Sequence, residues 1–539
     1  MLFLQDDKVA DWLERYPRKG RVTDATYEPD STKCTAGTQG GCWTVHVWWS
    51  KNEKVDAGEI AQGKVDDGTT AVTEAWTGPQ VAWKMARGYD GAFGGRKINS
   101  VPVWLAFCIV FLLGLADFRR PLSLRNLDLL VVLSFSASLW YFNHGDIFTS
   151  VPLAYPPLAY LLGRCVWIGW HCRPVRAARP LWPAWVLLSA TVFLAGFRIG
   201  LNIEDSNVID VGYAGVIGAQ RIASGVVPYG NFPEEDDLKA CGPADSAGEI
   251  RERIQKNGRC ESANPLGDTY GPVAYEAYLP GYWIRGWSGK WDHLPAVHLT
   301  SILFDVLCLL GLGLVGLRYG GPWLGAALAF AWAAFPFTQY VSQSNTNDSI
   351  VPVFLIYGFW LAAWPWLRGV FAALSGWTKF ATLVVAPLWL TYPGPLRRPR
   401  PALAFAAGFV LATLAAFSVL LLDAHPVQAA QAFYERTLKT QVTRESPFSL
   451  WDWAQYHARG IPDLHVVQWV LEGLLVLGAV AAAFVPRIKT PLQLAALTGA
   501  LLLGFELVLT HWFYLYVTWF FPFVAFALLA NGRTETAPA

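Results

Sequence analysis

From residue 101 onward one feature recurs: apolar stretches of about 17–22 residues, the length that crosses a roughly 30 Å hydrocarbon layer as a helix. They read as spans at 101–117, 126–142, 151–170, 182–200, 295–316, 322–341, 349–366, 402–422, 464–485, 491–510 and 512–530. Hydrocarbon offers the backbone no water, so each must close its own hydrogen bonds as a helix. Composition agrees. Of 539 residues, 15% are charged and 53% hydrophobic, where soluble domains carry about 25% charge. Those values exclude a disordered chain, a fibrous chain and an ordinary soluble enzyme. A net charge of +1 leaves no footprint for bulk nucleic-acid binding. The expected fold is an all-α polytopic membrane protein with about eleven full spans.

Orientation follows from Lys and Arg in short loops, which stay on the cytoplasmic side. Arg119, Arg120 and Arg125 follow the first span, and Arg173, Arg176 and Arg179 the third. Arg318, Arg368, Arg487, Lys489 and Arg533 flank later spans. Placing all of them inside gives one alternation. Residues 1–100 then lie outside, with two long loops, 201–294 and 423–463. Between Arg368 and the Arg397, Arg398, Arg400 cluster, residues 369–396 are mostly apolar. One span would put a basic flank outside, and two would need about 40 residues. A re-entrant hairpin of two half-helices satisfies both flanks if its tip is buried in protein or lines a cavity. Its tip falls near Ser375-Gly-Trp-Thr-Lys379, which puts Lys379 inside the membrane protein, facing outward.

Cysteine placement is an independent check. Cys108, Cys165, Cys172 and Cys308 fall in or at the ends of spans. Cys34 and Cys42 share one outer segment, and Cys241 and Cys260 the other. Two local disulfides in an oxidising compartment are expected.

Residues 1–95 read as a small α+β outer domain. Residues 6–16 have helical apolar spacing, and strand-like runs follow at 21–28, 42–50, 58–65 and 70–76. Asp66-Asp67-Gly68 marks a hairpin turn, and a short helix, 79–87, closes the unit. The runs GEIAQGKVDD and VTEAWTGPQVAWKMARG give it a pattern that resembles the PepSY-like modules of bacterial exported proteins. His46 and Asp24 are isolated, and a docking or regulatory role is the reading. Met1 to Gln5 is too short for a signal-peptide core. Either span 101–117 carries the domain out, or a signal segment precedes Met1. Residues 96–181 form three accessory spans, 182–531 the main core, and 532–539 an inner tail.

Outer loop 201–294 opens with an amphipathic helix from Ile209 to Ser224, with Asp210 at its start on the membrane surface. It returns through a Tyr- and Pro-rich segment, 268–284, laid along the interface. Five elements then follow in order: Asp210-Val-Gly-Tyr213 with Ala-Ser-Gly-Val-Val-Pro-Tyr229; Tyr270-Gly-Pro-Val-Ala-Tyr275; Asn345-Thr-Asn347-Asp348; Gly376-Trp-Thr-Lys379-Phe; and Phe433-Tyr-Glu-Arg436-Thr. Over residues 182–530 this order resembles the GT-C superfamily of polyprenyl-phosphate-sugar glycosyltransferases, closest to glycosyltransferase family 87 of actinobacterial type. The resemblance implies an inverting sugar transferase of the bacterial plasma membrane, with its active site outside. Its partners would be a lipid-linked sugar donor, a glycan, lipid or protein acceptor, and membrane lipids.

The chemistry needs a carboxylate to take the acceptor proton and cations to stabilise the leaving phosphate. Asp210 is the first choice for the base and Asp205 the second; an Asp210 N-cap is the plain alternative. Lys379 is an intramembrane cation and therefore a functional candidate, its partner being the donor phosphate or, alternatively, Asp305 or another buried acid. Arg436, Arg444 and His511 are further phosphate candidates. Tyr213, Tyr270, Asn345, Asn347 and Asp348 support the site. Asn345 and Asn347 are poor partners of Asp348 for a tight divalent site, so no divalent metal or other cofactor is expected. A lipid-linked-sugar flippase would favour inverted repeats with paired interrupted segments, and only 369–396 is interrupted. A non-catalytic scaffold would not need so many spans.

Overall fold

In the computed structural model the described residues are 1–31, 34–35, 38–50, 58–88, 93–171, 181–232, 253–254, 260–261, 267–288, 294–394 and 399–530. Every expected apolar stretch contains helix. Among the described residues five helices are long and apolar enough to cross a membrane: Ala184–Asp205, Pro295–Ala334, Pro399–Leu422, His465–Phe484 and Pro491–Val508. Their outward faces carry large apolar side chains such as Phe193, Leu414 and Leu477, as a lipid-facing surface requires. Cys172, Cys241, Arg173, Arg176, Arg179, Arg397, Arg398 and Arg533 lie outside the described residues, as does the side chain of Cys260.

Prolines and glycines set the breaks. The stretches 295–316 and 322–341 run together as Pro295–Ala334, but Gly321 has φ 80° and Pro322 follows it. A Cβ on Gly316 would sit 2.4 Å from the Gly325 amide nitrogen. A straight helix would hold residues nine apart by about 13.5 Å, so the chain doubles back at Gly321. Pro336 opens a separate helix, Pro336–Ser344. The helix Pro365–Thr378 ends at Lys379, which is extended, and the chain continues through Phe380–Val385 to Ala386–Thr391. Arg368, at the start of this segment, donates Nε to the Trp389 carbonyl (2.7 Å) and Nη2 to that of Tyr392 (2.8 Å). The two arms therefore lie side by side with Lys379 at the turn.

The N-terminal part is an open antiparallel sheet, β1 (Arg21–Glu28), β2 (Cys42–Trp49), β3 (Gly58–Asp66) and β4 (Val72–Thr77), in meander order. Val45, Val47 and Trp49 alternate inward from β2 and pack with Val9, Trp12 and Leu13 of the helix Asp7–Leu13 and with Tyr16 just after it, the period-2 face of a half-buried strand. His46 pairs with Glu59, and Cys34 is bonded to Cys42. The sheet unit docks on the rest of the chain. Tyr16 Oη donates to the Tyr456 carbonyl (2.8 Å), the Arg459 amide to that of Arg15 (2.9 Å), and Gln80 Nε2 to that of Gly145 (2.8 Å).

Candidate functional site

Asn345 organises the site. It ends the helix Pro336–Ser344 in the left-handed conformation (φ 52°, ψ 46°), which asparagine tolerates better than most residues. Its Nδ2 donates to Ser206 Oγ (2.9 Å) and the Asn207 carbonyl (2.8 Å), and its Oδ1 accepts from Asn202 Nδ2 (3.0 Å). The Asn207 amide donates to the Gln343 carbonyl (3.1 Å). Residues 202–207 are thus stitched to 343–345, which fixes where the helix Asp210–Ala223 begins. A Cβ on Gly212 would lie 2.2 Å from the Asn345 carbonyl oxygen, so glycine permits that close approach. Asp210 occupies the first turn while Ile209 holds the N-cap position. It adds a favourable charge at the helix N-terminus without being the cap.

Three residues past Asn345 lies Asp348, fully buried. Thr346 accepts the Asp348 amide (2.9 Å) and donates to its Oδ2 (2.6 Å). Oδ1 receives Trp519 Nε1 (3.0 Å) and the Lys379 ammonium (2.6 Å). The rings of Tyr516, Trp519 and Tyr270 surround the ammonium, with centroids 4.9, 5.0 and 5.6 Å away. Aromatic faces attract a desolvated cation, so Lys379 is held by one anion and three rings. Of its three N–H donors, one is spent on Asp348.

Asp210 lies close enough to Lys379, Tyr270 and Tyr516 to act on each electrostatically. Arg444 does the same to these three and to His511. The Arg444 guanidinium rests on the ring of Trp83 (5.4 Å), a residue just past β4. The His511 ring also meets Trp83 (5.6 Å) and Phe448 (5.9 Å), and its Nδ1 bonds Ser446 Oγ (2.9 Å). Desolvation first, then the cations Arg444 and Lys379, holds His511 well below the usual imidazole range. It is therefore a neutral hydrogen-bonding group rather than a third cation. Lys379, Asp348 and Tyr270 are thus in direct contact, Arg444 and His511 share the ring of Trp83, and Asp210 acts on Lys379 electrostatically.

Other expected residues fall elsewhere. Asp205 Oδ2 accepts the Lys97 amide (3.2 Å), at the short helix Arg96–Asn99. Arg436 Nε is 3.7 Å from Asp268 Oδ2, which also accepts the Gly230 amide (2.8 Å). The rings of Tyr229 and Phe380 both meet that of Phe433 (5.1 and 6.3 Å). Tyr213 is buried with its ring against Trp287 (5.7 Å). Asn347 is buried, and its Oδ1 has no partner among the described residues.

Asp305 does not pair with Lys379. Arg198 Nε donates to its Oδ2 (2.9 Å), Arg198 Nη2 to its Oδ1, and Trp332 Nε1 to Oδ1 (2.8 Å). A second span-to-span pair joins Arg164 and Asp128 through two bonds of 2.8 Å. Sequence reasoning missed Tyr516, Trp519 and Trp83 as walls of the site, and Arg198 as the partner of Asp305. Arg198 did carry a signal, being a lone charge in one span opposite a lone charge of the other sign in another. Among the described residues no three of His, Cys, Asp and Glu gather to hold a metal ion. Comparison with known protein families finds no match, and neither does comparison with curated proteins.

Proposed function

We propose that this chain is an integral membrane glycosyltransferase of GT-C type that moves a sugar from a polyprenyl-phosphate donor to an acceptor hydroxyl outside a bacterial plasma membrane. The observation that supports it most is the buried Lys379–Asp348 pair (2.6 Å) ringed by Tyr270, Tyr516 and Trp519, with Asp210 and Arg444 near enough to act on Lys379 electrostatically. In this reading Asp210 takes the acceptor proton. The acceptor oxygen forms a bond to the anomeric carbon as that carbon's bond to the donor phosphate oxygen breaks. The polyprenyl phosphate leaves with the electron pair, and Lys379 and Arg444 stabilise its charge. Attack opposite the leaving group inverts the configuration.

The reading includes about eleven spans, a re-entrant hairpin with Lys379 at its tip, and an extracytoplasmic sheet domain. The hairpin is supported by Arg368, which ties both arms at their base. A lysine held at membrane depth by Asp348 and three rings suits an anionic headgroup whose lipid tail fixes its depth. Purified protein in nanodiscs should bind a radiolabelled polyprenyl-phosphate sugar. Asp210→Asn should keep that binding and lose transfer by about 10²–10⁴-fold. Undiminished transfer by Asp210→Asn removes the base assignment, and no donor binding by the unaltered protein removes the function.

A further inference from the structure

A second cavity lies away from the Lys379 cluster, where the sheet domain meets the membrane helices. Its volume is about 270 Å³, and Lys8, Thr77, Gln80, His144, Asp146 and Phe148 are among its lining residues. Clefts between domains are common ligand sites. This one is built by two separate parts of the chain, joined across its edge by the bond from Gln80 Nε2 to the Gly145 carbonyl (2.8 Å).

Counting hydrogen-bonding capacity shows what the cavity offers. Lys8 Nζ gives two of its three N–H donors, to the Ala75 carbonyl (2.7 Å) and Gln80 Oε1 (2.6 Å). It also lies 5.2 Å from the ring centre of Trp76. These contacts fix its position and leave one donor. Asp146 Oδ1 caps the next helix by accepting the Thr149 amide (3.1 Å), leaving Oδ2. His144 bonds the Trp140 carbonyl through Nδ1 (2.7 Å) and stacks on the Trp140 ring (4.2 Å), leaving Nε2. Thr77 adds a hydroxyl. Phe148 adds an apolar lining, its ring packed against Trp12 (5.5 Å) and Trp453 (4.9 Å).

Two physical features narrow the ligand. Lys8 and Asp146 cancel in charge, so a net ion of either sign meets one repulsive partner. Donors and acceptors from Lys8, His144 and Asp146, all exposed at the cleft, set beside the Phe148 ring, suit a ring that carries hydroxyls on its rim and C–H groups on its faces. The volume falls below the roughly 300–1,000 Å³ usual for drug-sized ligands, which limits the occupant to about one such ring. We propose that the cavity between the sheet domain and the 144–148 turn binds a single neutral sugar unit. The site uses no residue of the Lys379 cluster and stands or falls separately from the transferase reading.

The test uses the full chain in lipid nanodiscs, because sugar-headed detergents would compete. The probes are methyl α-D-glucopyranoside, methyl α-D-mannopyranoside, methyl α-D-galactopyranoside and methyl α-D-arabinofuranoside, with inorganic phosphate as the anionic control. Binding is read by saturation-transfer NMR and titration calorimetry. At least one glycoside should bind and phosphate should not. Thr77→Val removes a hydroxyl at nearly constant shape, and Asp146→Asn removes the charge while an Asn side chain can still cap the helix. Each should weaken glycoside binding about tenfold, the loss of roughly one good hydrogen bond, with melting temperature unchanged. If either variant fails to fold, the other carries the test, and His144→Phe, which keeps the stacking on Trp140, replaces it. Absence of glycoside binding, binding that survives both substitutions, or binding of phosphate in place of sugar each overturns the proposal.

Discussion

Replacing Lys379 by methionine keeps most of the stem and deletes the ammonium. Asp348 is fully buried, so its carboxylate would stay in the protein without a counter-charge. Removing one partner of a buried ion pair costs about 3–5 kcal/mol. Here Trp519 Nε1 (3.0 Å) and Thr346 Oγ1 (2.6 Å) still donate to Asp348. The expected destabilisation is therefore at the low end, about 3 kcal/mol. Adding Asp348→Asn removes the orphaned charge and should recover about 2 kcal/mol of it, a coupling of the size seen for contacting residues. Unfolding in mixed micelles of rising SDS content, followed by tryptophan fluorescence, measures both. A Lys379→Met chain within about 0.5 kcal/mol of the unaltered one, the range of surface changes, refutes the pair as a structural unit. The folded double variant then isolates the role in binding, with donor affinity expected to fall at least about tenfold. Unaltered donor affinity in that variant would leave the pair standing and remove Lys379 from phosphate recognition.

Arg198→Met strands Asp305 in the same way and should destabilise by about 3–5 kcal/mol; rescue by Asp305→Asn with unchanged donor binding would mark this pair as structural, and a loss of donor binding would contradict that. On the proposed transferase reading, sugar transfer should persist in EDTA, with Lys379 and Arg444 as the source of positive charge; complete loss restored by Mg²⁺ or Mn²⁺ would make Asp348 a metal ligand. Burial raises the Glu276 carboxyl from its ordinary 4.5 to about 7. The folded chain thus holds that proton more tightly than the unfolded chain, and stability falls as pH rises from about 4.5 through 7. Glu276→Gln should raise the melting temperature at pH 8 and leave it unchanged at pH 4, and the opposite ordering would refute the burial argument. Non-reducing peptide mapping should recover Cys34 linked to Cys42, and free thiols at both positions would contradict that bond.

Elements governed by local pattern were legible. The alternation in CWTVHVWW fixed β2, and Asp66-Asp67-Gly68 the turn after β3, because period and turn chemistry are written along the chain. The basic flanks of 369–396 called for the chain to turn back there, and one of those residues, Arg368, donates to the carbonyls of Trp389 and Tyr392. Pairings between helices were not legible. Periodicity says that a charge sits in a span but not which way that span is rotated, so Asp305 had several possible partners. Tyr516 and Trp519 lie in a uniformly apolar stretch, where composition cannot separate a site wall from a lipid-facing ring. Arg436 lies inside the six-residue π-helix Tyr434–Lys439, and Arg444 follows eight residues later, past its end. A wider turn shifts the helical phase, so spacing at 3.6 residues misplaces one relative to the other.

The bond from Tyr16 to the Tyr456 carbonyl joins residues 440 apart. Synthesis at about 5–20 residues per second takes on the order of 20–90 s to cover that distance. The sheet can form early, since its strands follow one another, yet the part of the cover over Trp12 and Tyr16 that Tyr456 supplies arrives only when that residue has emerged. Throughout that interval a newly made sheet domain presents a wet aromatic face. Slowing elongation lengthens that exposure without altering a single contact of the finished protein. The yield of this chain should therefore depend on translation speed, and a polar substitution at Tyr456 should leave the early sheet intact while weakening its final docking, by losing the ring contacts with Trp12 and Phe148.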